Sequence, residues 1–519
     1  MKKLFTLIGT FGCFLIILFP CNIYSIAEND FIFKEKHFLT SEFIWNTPAI
    51  ITYGSSNHSE YPSSAFGSDG SLHVVWENYG KNIRGEWPDR IYYASRSPNG
   101  QWSTPELISV AESNFTVRPV VVVDTTGTIY VAWIDAANYS GYGELPKVVF
   151  RKKISGGTWS GVEVISTDSI NNIFTKLQPP SLAVDSLGNI HVTWYEYTNF
   201  SIQGPAQDMI LYKNKQKNGG WSYTERISPE NLKNSMSPSL AVDSSSAVHL
   251  TWENLKFEQT DDGGIFYRVK PLNGNWSAVQ KVTTEGITYS YNPSVAIDSD
   301  LTVHVSWSAN SGYGGSGEDE DIFYKNKGVN QQWNDTITEV VSSESNQRSA
   351  FPSLAIDQNG IVHVAWMDWT DLSGSSHDAN IFYKTRSTSG VWTPVDMVSW
   401  DFPATSTSCS LAIDKEGFPH VVWQDNSNYS GAGGNYHIVW KTRTSLLEGV
   451  FFFGLVKEKK QFESVTYMKT RLCLIIGSNL GISGIYIGKV LAIKGNYKGR
   501  LPSDDSGFII GSASRAAII

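Results

Sequence analysis

An all-β ring of seven four-stranded antiparallel blades, a β-propeller, is the fold this sequence predicts. Three observations carry it. The fifteen residues Pro180 to Trp194 recur without a gap as Pro62 to Trp76, Pro119 to Trp133, Pro238 to Trp252, Pro293 to Trp307, Pro352 to Trp366 and Cys409 to Trp423, at spacings of 55 to 61 residues. A fixed period of that length marks a repeat protein whose units bury their faces on one another. Each repeat holds four short runs with strand patterning, separated by turn residues, as a propeller blade requires. Lastly, the Trp that opens the fourth run is missing from the last repeat, and an equivalent, Trp45, stands ahead of the first.

The chain begins with Lys2 and Lys3, the uncharged run Leu4 to Phe19, Pro20, and small residues ending at Ala27. Residues 1–27 read as an export signal cleaved after Ala27. The competing reading is an uncleaved anchor, since Leu4 to Ala27 is long enough to span a bilayer. Both place the rest of the chain outside the cytoplasm, extracellular or at the cell surface. After cleavage only Cys409 and Cys473 remain, so packing rather than a disulfide framework must hold the core. Residues 28–42 are a lead into the ring. The net charge of -9, without a basic stripe, excludes a nucleic-acid backbone as partner.

Within residues 43–445 the third repeat shows the blade in order. Ser181 to Asp185 is a first strand and Ser186 to Asn189 a turn. Ile190 to Trp194 alternates, with Ile190, Val192 and Trp194 on one face. Met209 to Tyr212 is the third strand, and Trp221 to Ser228 the fourth. Trp76, Trp133, Trp194, Trp252, Trp307, Trp366 and Trp423 in second strands, and Trp102, Trp159, Trp221, Trp276, Trp333 and Trp392 in fourth strands, are the expected wedges between blades. Trp45 precedes Pro62 by 17 residues, as Trp102 precedes Pro119. The N-terminal segment is therefore expected to supply the outer strand of the last blade, beside Ile438 to Trp440, and to leave no open seam. A closed ring of this kind is expected to be a monomer.

Up-and-down blades put short turns on one rim and long connections on the other, and the long-loop rim is where binding or chemistry belongs. His73, His191, His249, His304, His363 and His420 recur three residues before the second-strand Trp. Rotation about the ring keeps equivalent residues far apart, so they are expected to be structural rather than a metal ring. Asp124, Asp185, Asp243, Asp298, Asp357 and Asp414 are expected to cap turns. On the long-loop rim an acid follows the Trp by one or two residues: Glu77, Asp135, Glu196, Glu253, Asp368 and Asp425. Trp87, Tyr139, Tyr142, Tyr313, Trp369 and Tyr429 lie in the same connections. Aromatic faces beside acids suit either sugar rings or a protein surface. These twelve residues are the ligand-binding candidates, and no catalytic residue is assigned. No cofactor is required. The one alternative is Ca²⁺ at Glu318-Asp-Glu-Asp321, where several oxygens fall together.

The pattern Pro-Ser-Leu-Ala-Val-Asp, Gly, His-Val-x-Trp, Ile-x-Tyr, Gly-x-Trp-Ser and Ile-Ser resembles the sialidase-like propeller superfamily with BNR, or Asp-box, repeats. Ser95 to Trp102 and Thr385 to Trp392 keep the box position and its Trp but lose the Asp. The resemblance spans roughly residues 43 to 445 and implies the propeller. It also implies, for an active member, a Tyr/Glu pair, an Asp and three Arg gripping a carboxylate. Arg84, Arg90, Arg118 and Arg348 fall on or near the right rim, but no complete set matches. The expectation is a non-catalytic propeller that binds a glycan or a cell-surface protein through its long-loop rim; the alternative is a divergent sialidase-like glycoside hydrolase. Residues 446–519 break the repeat. Within them, 472–488 is uncharged, with Gly477, Gly481, Gly484 and Gly488 three or four apart, a candidate membrane helix and the only membrane contact expected besides an uncleaved leader.

Overall fold

The computed structural model describes residues 43–52, 57–80, 89–110, 115–139, 146–166, 178–198, 206–255, 263–287, 289–317, 319–370, 378–402, 404–428 and 434–445, and the backbone of three strands between 452 and 493. The export-signal segment lies outside these residues. Residues Trp45–Thr444 form one compact unit. It is a seven-bladed β-propeller. Blade one runs outward as His58–Phe66, Leu72–Tyr79, Asp89–Arg96 and Glu106–Leu107, each strand antiparallel to the next, and five further blades repeat that order. Blade seven takes its first three strands from Ser406–Ile413, Pro419–Asp425 and His437–Ser445. Its outer edge comes from the start of the chain: Phe43–Trp45 and Ala49–Ile50 both pair with His437–Ser445.

Residues repeated at the blade ends explain this closure. The Ser or Thr after each fourth strand accepts the backbone N–H that opens the third, as Ser109 does from Ile91 (3.1 Å) and Ser342 from Ile322 (2.9 Å). Thr52 does the same for Ile438 (3.1 Å), so the N-terminal segment brings the seventh copy of this bond. Each fourth-strand Trp also meets, edge to face, the third-strand aromatic of the preceding blade. Trp276 lies 5.1 Å from Tyr212 at 89°, Trp102 lies 6.0 Å from Trp440 at 77°, and Trp45 lies 5.3 Å from Tyr383 at 88°. Such pairs add about 0.5–1.5 kcal/mol each beyond the area they bury.

A second staple joins the blades. The residue after the third-strand aromatic is a cation in six blades, and it donates to a carbonyl at the end of the preceding blade's fourth strand. Arg151 reaches Ile108 (2.5 Å), Lys213 reaches Ile165 (2.8 Å), Arg268 reaches Ile227 (2.9 Å), Lys384 reaches Val341 (2.8 Å) and Lys441 reaches Val398 (2.9 Å). Lys325 is directed at Val282 (3.4 Å) and bonds Thr284 and Glu285 more closely. Blade one has Ala94 at this place, so the closing interface lacks the ionic staple. It is filled instead by Leu72, Val74, Trp76 and Ala94 of blade one against Ile51, Val422, Ile438 and Trp440 of blade seven.

In the other unit, Phe452–Phe462, Val465–Ser478 and Gly481–Ile493 form a three-stranded antiparallel sheet. Within the candidate span 472–488, the described residues 472–478 and 481–488 are therefore strand rather than helix. With the backbone extended there, the spacing of Gly477, Gly481, Gly484 and Gly488 marks no helical face. Among the described residues no helix is long and apolar enough to cross a membrane.

Candidate binding site at the channel mouth

The first strands line the central channel, and each carries the same three-residue unit near its start. The middle residue is Pro, or Cys409 in blade seven. The third is Ser in six blades, and its hydroxyl accepts a backbone N–H from the first strand of the next blade. Ser63 accepts from Val121, Ser181 from Leu240, Ser239 from Val295, Ser294 from Leu354, Ser353 from Leu411 and Ser410 from Ser64, all at 3.0–3.1 Å. These bonds satisfy the inner edge of each sheet, which has no further strand to pair with. Blade two has Val120 instead.

The first residue of the unit varies from blade to blade. It is Tyr61, Arg118, Pro179, Ser237, Asn292, Phe351 or Ser408. Six of the seven take a positive φ, between 49° and 57°, in a bulge where the strand register shifts. That region costs an L-residue roughly 1–2 kcal/mol, so the bulge is held by its surroundings. Pro179 is the exception because its ring fixes φ near -65°, and there the first strand shrinks to Ser181–Val184. All seven line a cavity of 680 Å³, together with Gln178, Met367, Trp369 and Gln424. Met367, Trp369 and Gln424 lie at or beyond the ends of second strands, so the cavity opens on the long-loop rim.

Its wall is uneven. Phe351, Met367 and Trp369 give blade six an apolar side, with Phe351 44% exposed. Across the channel, on the side of blades one and two, the Arg118 guanidinium lies 3.4 Å from the centre of the Tyr61 ring. Asn292, Ser237 and Ser408 supply polar groups between. Arg118 is the arginine among the described lining residues. Arg348 stacks on Trp369 (5.0 Å) and pairs with Glu320 (2.6 Å), Arg90 bonds the Asp89 carbonyl, and Arg84 lies outside the described residues. Three convergent guanidinium groups are thus not assembled by the described residues.

Of the twelve candidates read from the sequence, Trp369 lines the mouth. The six acids are buried in the blades, and the structure splits them by strand parity. Those two residues past the Trp share its face and take its indole N–H: Asp135 from Trp133, Glu196 from Trp194 and Asp368 from Trp366, each at 2.9 Å. Asp425, at the same position, instead accepts from Ser406 (2.5 Å) and Ser427. Those one residue past it face the next blade. Glu77 accepts the backbone N–H of Arg118 (3.0 Å) and Glu253 that of Asn292 (2.6 Å), while Gln424 takes that of Tyr61 (2.8 Å). These three clamp the bulge residues that line the mouth. Tyr139 donates to Asp135 (2.8 Å), and Tyr313 lies half-buried over Phe323 (6.5 Å). Trp87, Tyr142 and Tyr429 lie outside the described residues. In the acidic loop, Glu320 is committed to Arg348, and Asp321 accepts from Ser342 (2.6 Å). Among the described residues no three His, Cys, Asp or Glu side chains gather as a metal site.

Burial shifts the charge states near the mouth. It raises the Glu77 carboxyl to about 7, with the Arg118 N–H and guanidinium opposing and Glu60 and Asp89 adding to the rise. Burial likewise raises Asp89 to about 6.

On the opposite rim the repeated histidines form a network. His191, His249, His304 and His363 each meet a third-strand Tyr hydroxyl through Nδ1 at 2.6–2.8 Å, as does His73 with Tyr93. In blade seven the Trp440 indole donates to His420 Nδ1 (3.1 Å), which fixes the proton on Nε2, facing Asp414 (3.2 Å). His249 and His304 meet Asp243 and Asp298 in the same way, both at 3.1 Å. In blade two Tyr130 takes the histidine's place and bonds Asp124 directly (2.8 Å). Each of these Asp residues also caps its turn, as Asp243 does for the N–H groups of Ser245 and Ala247. Burial holds His191, His249, His304 and His420 below the ordinary imidazole value, and His73 at about 4, so they stay neutral.

A seven-bladed β-propeller with a variable channel mouth is the class of protein this defines. No family model matches the chain, and no curated protein does. Several solved structures are similar to it. One is an ulvan lyase of polysaccharide lyase family PL25 bound to -[GlcA(1-4)Rha3S]-, at 11% identity over 75% of this chain and 95% of that one, with a TM-score of 0.48. Another is the alpha-L-arabinanase of Penicillium chrysogenum with arabinobiose, at 13% identity over 77% and 98%, TM-score 0.44. A third is a leech intramolecular trans-sialidase, at 12% identity over 77% and 70%, TM-score 0.39.

Proposed function

We propose that the protein binds a carbohydrate chain carrying an acidic group at the channel mouth, on the outside of the cell, as a monomer and without catalysing a reaction on it. One observation carries the reading: seven positions presenting six kinds of side chain sit on a nearly constant Pro-Ser frame, six of them at a strained φ, around a single cavity. A frame that stays constant while the presented residue changes suits recognition rather than packing. Phe351 and Trp369 offer aromatic surface to the C–H face of a sugar ring, while Arg118 offers a fork of N–H donors to a carboxylate or sulfate. Asn292, Ser237 and Ser408 suit hydroxyls. Among the described lining residues Arg118 is the one guanidinium, which favours binding over the three-arginine chemistry of a sialidase.

A glycan array probed with the exported domain tests this. Acidic glycans should bind, Arg118→Ala should lose them selectively, and Phe351→Ala should weaken all retained glycans about tenfold, one stacking contact's worth. Binding that survives both substitutions, or turnover of a fluorogenic sialoside, would overturn it.

A further inference from the structure

Glu60, Glu77, Tyr79 and Asp89 share one face of blade one, turned toward Arg118 on blade two. Glu60 stands opposite Glu77 in the register of the first and second strands, and Asp89 stands opposite Tyr79 in that of the second and third. Facing residues in such pairs lie about 5 Å apart. The Tyr79 hydroxyl donates to Glu60 (2.8 Å), Arg90 sits beside Asp89, and Arg118 places its N–H on Glu77 and its guanidinium over Tyr61. Glu77 is thus buried with Glu60 facing it and Asp89 one register pair further along the same face, a setting that disfavours its ionised form. Glu77 is the one that touches the residue presented to the ligand.

We propose that Glu77 is a proton-operated gate on the mouth: protonated, it leaves the Arg118 charge free to hold an anionic ligand, and ionised, it competes with that ligand. This regulation rests on the acidic-glycan reading above. Glu77 is a positioning residue, since it acts through Arg118 rather than touching the ligand. The sign follows from charge. As pH rises through the raised value of Glu77, near 7, a carboxylate forms behind Arg118 and anion affinity falls. By linkage, binding an anion near neutrality must draw a proton into the protein. Blade seven supplies the control. Gln424 already clamps Tyr61 as Glu77 clamps Arg118, so an amide is sterically and chemically competent in this position.

The test is isothermal titration of the full exported protein with a four-unit oligoglucuronate between pH 5.5 and 8.5, in buffers of different ionisation enthalpy. Wild type should bind about tenfold more weakly at pH 8.5 than at 5.5, with proton uptake greatest near pH 7. Glu77→Gln should abolish both the uptake and the pH dependence, binding at pH 8.5 as wild type does at 5.5. Binding without proton uptake, or uptake that persists in Glu77→Gln, would overturn the gate and leave the mouth reading standing. No binding at any pH would overturn both.

Discussion

The two ends of the ring differ in kind. At the short-turn end His, Tyr and Asp recur in blades three to six, blade seven puts Trp440 in the place of the Tyr, and blades one and two substitute Asp69 or Tyr130 within the same space. At the long-loop end the backbone recurs, bulge included, but the side chain it presents is different almost every time. Where the chemistry itself repeats, it serves the blade. Where only the geometry repeats, and at a cost in strain, the side chain serves something outside the blade.

Three substitutions test that contrast. The largest effect is expected from His304→Leu, which strands the buried Tyr324 hydroxyl and the inner oxygen of Asp298; about 2–4 kcal/mol of stability should be lost, read as a lower denaturation midpoint. An effect within experimental error would erase the distinction between the ends. Next comes pH. Because the folded value of Glu77 lies above its ordinary one, its favourable contribution is complete below pH 4.5 and disappears as pH rises through about 7. Glu77→Gln should therefore raise the unfolding midpoint relative to wild type at pH 8 and not at pH 4. The smallest effect is a gain. Phe351→Gly removes a side chain held at φ 55° and should stabilise the protein by about 0.5–1 kcal/mol while weakening glycan binding. Loss of stability there would mean that Phe351 is packing after all.

Much of the scaffold was legible from the residues alone. The offset of Trp45 from Pro62 predicted the closing strand, and Trp45 on Tyr383 and Thr52 on Ile438 occupy the places that offset requires. The recurrent histidines and aspartates read as structural, and their bonds are structural. The binding surface was harder. Acids at one and two residues past the Trp look equivalent in a list of sequence positions, yet a strand's alternation sends Glu77 toward Arg118 and Asp135 toward its own Trp133. A parity count would have separated them. The residue before each Pro varies beside a nearly constant neighbour, a contrast present in the sequence but without a period of its own to mark it. The cation after each third-strand aromatic, with Ala94 as its lone substitute, was visible there as well.

What the sequence determined by itself was therefore the number of blades, their strand order and the place where the ring closes, because a repeated pattern of side chains specifies a repeated local structure. Only the tertiary structure decided which residues meet. The mouth is assembled from positions 55 to 61 residues apart that converge when the blades are wrapped round an axis. Burial within that assembly, rather than residue type, turns six carboxylic acids into parts of the frame and leaves Arg118, Tyr61, Asn292 and Phe351 to face the channel.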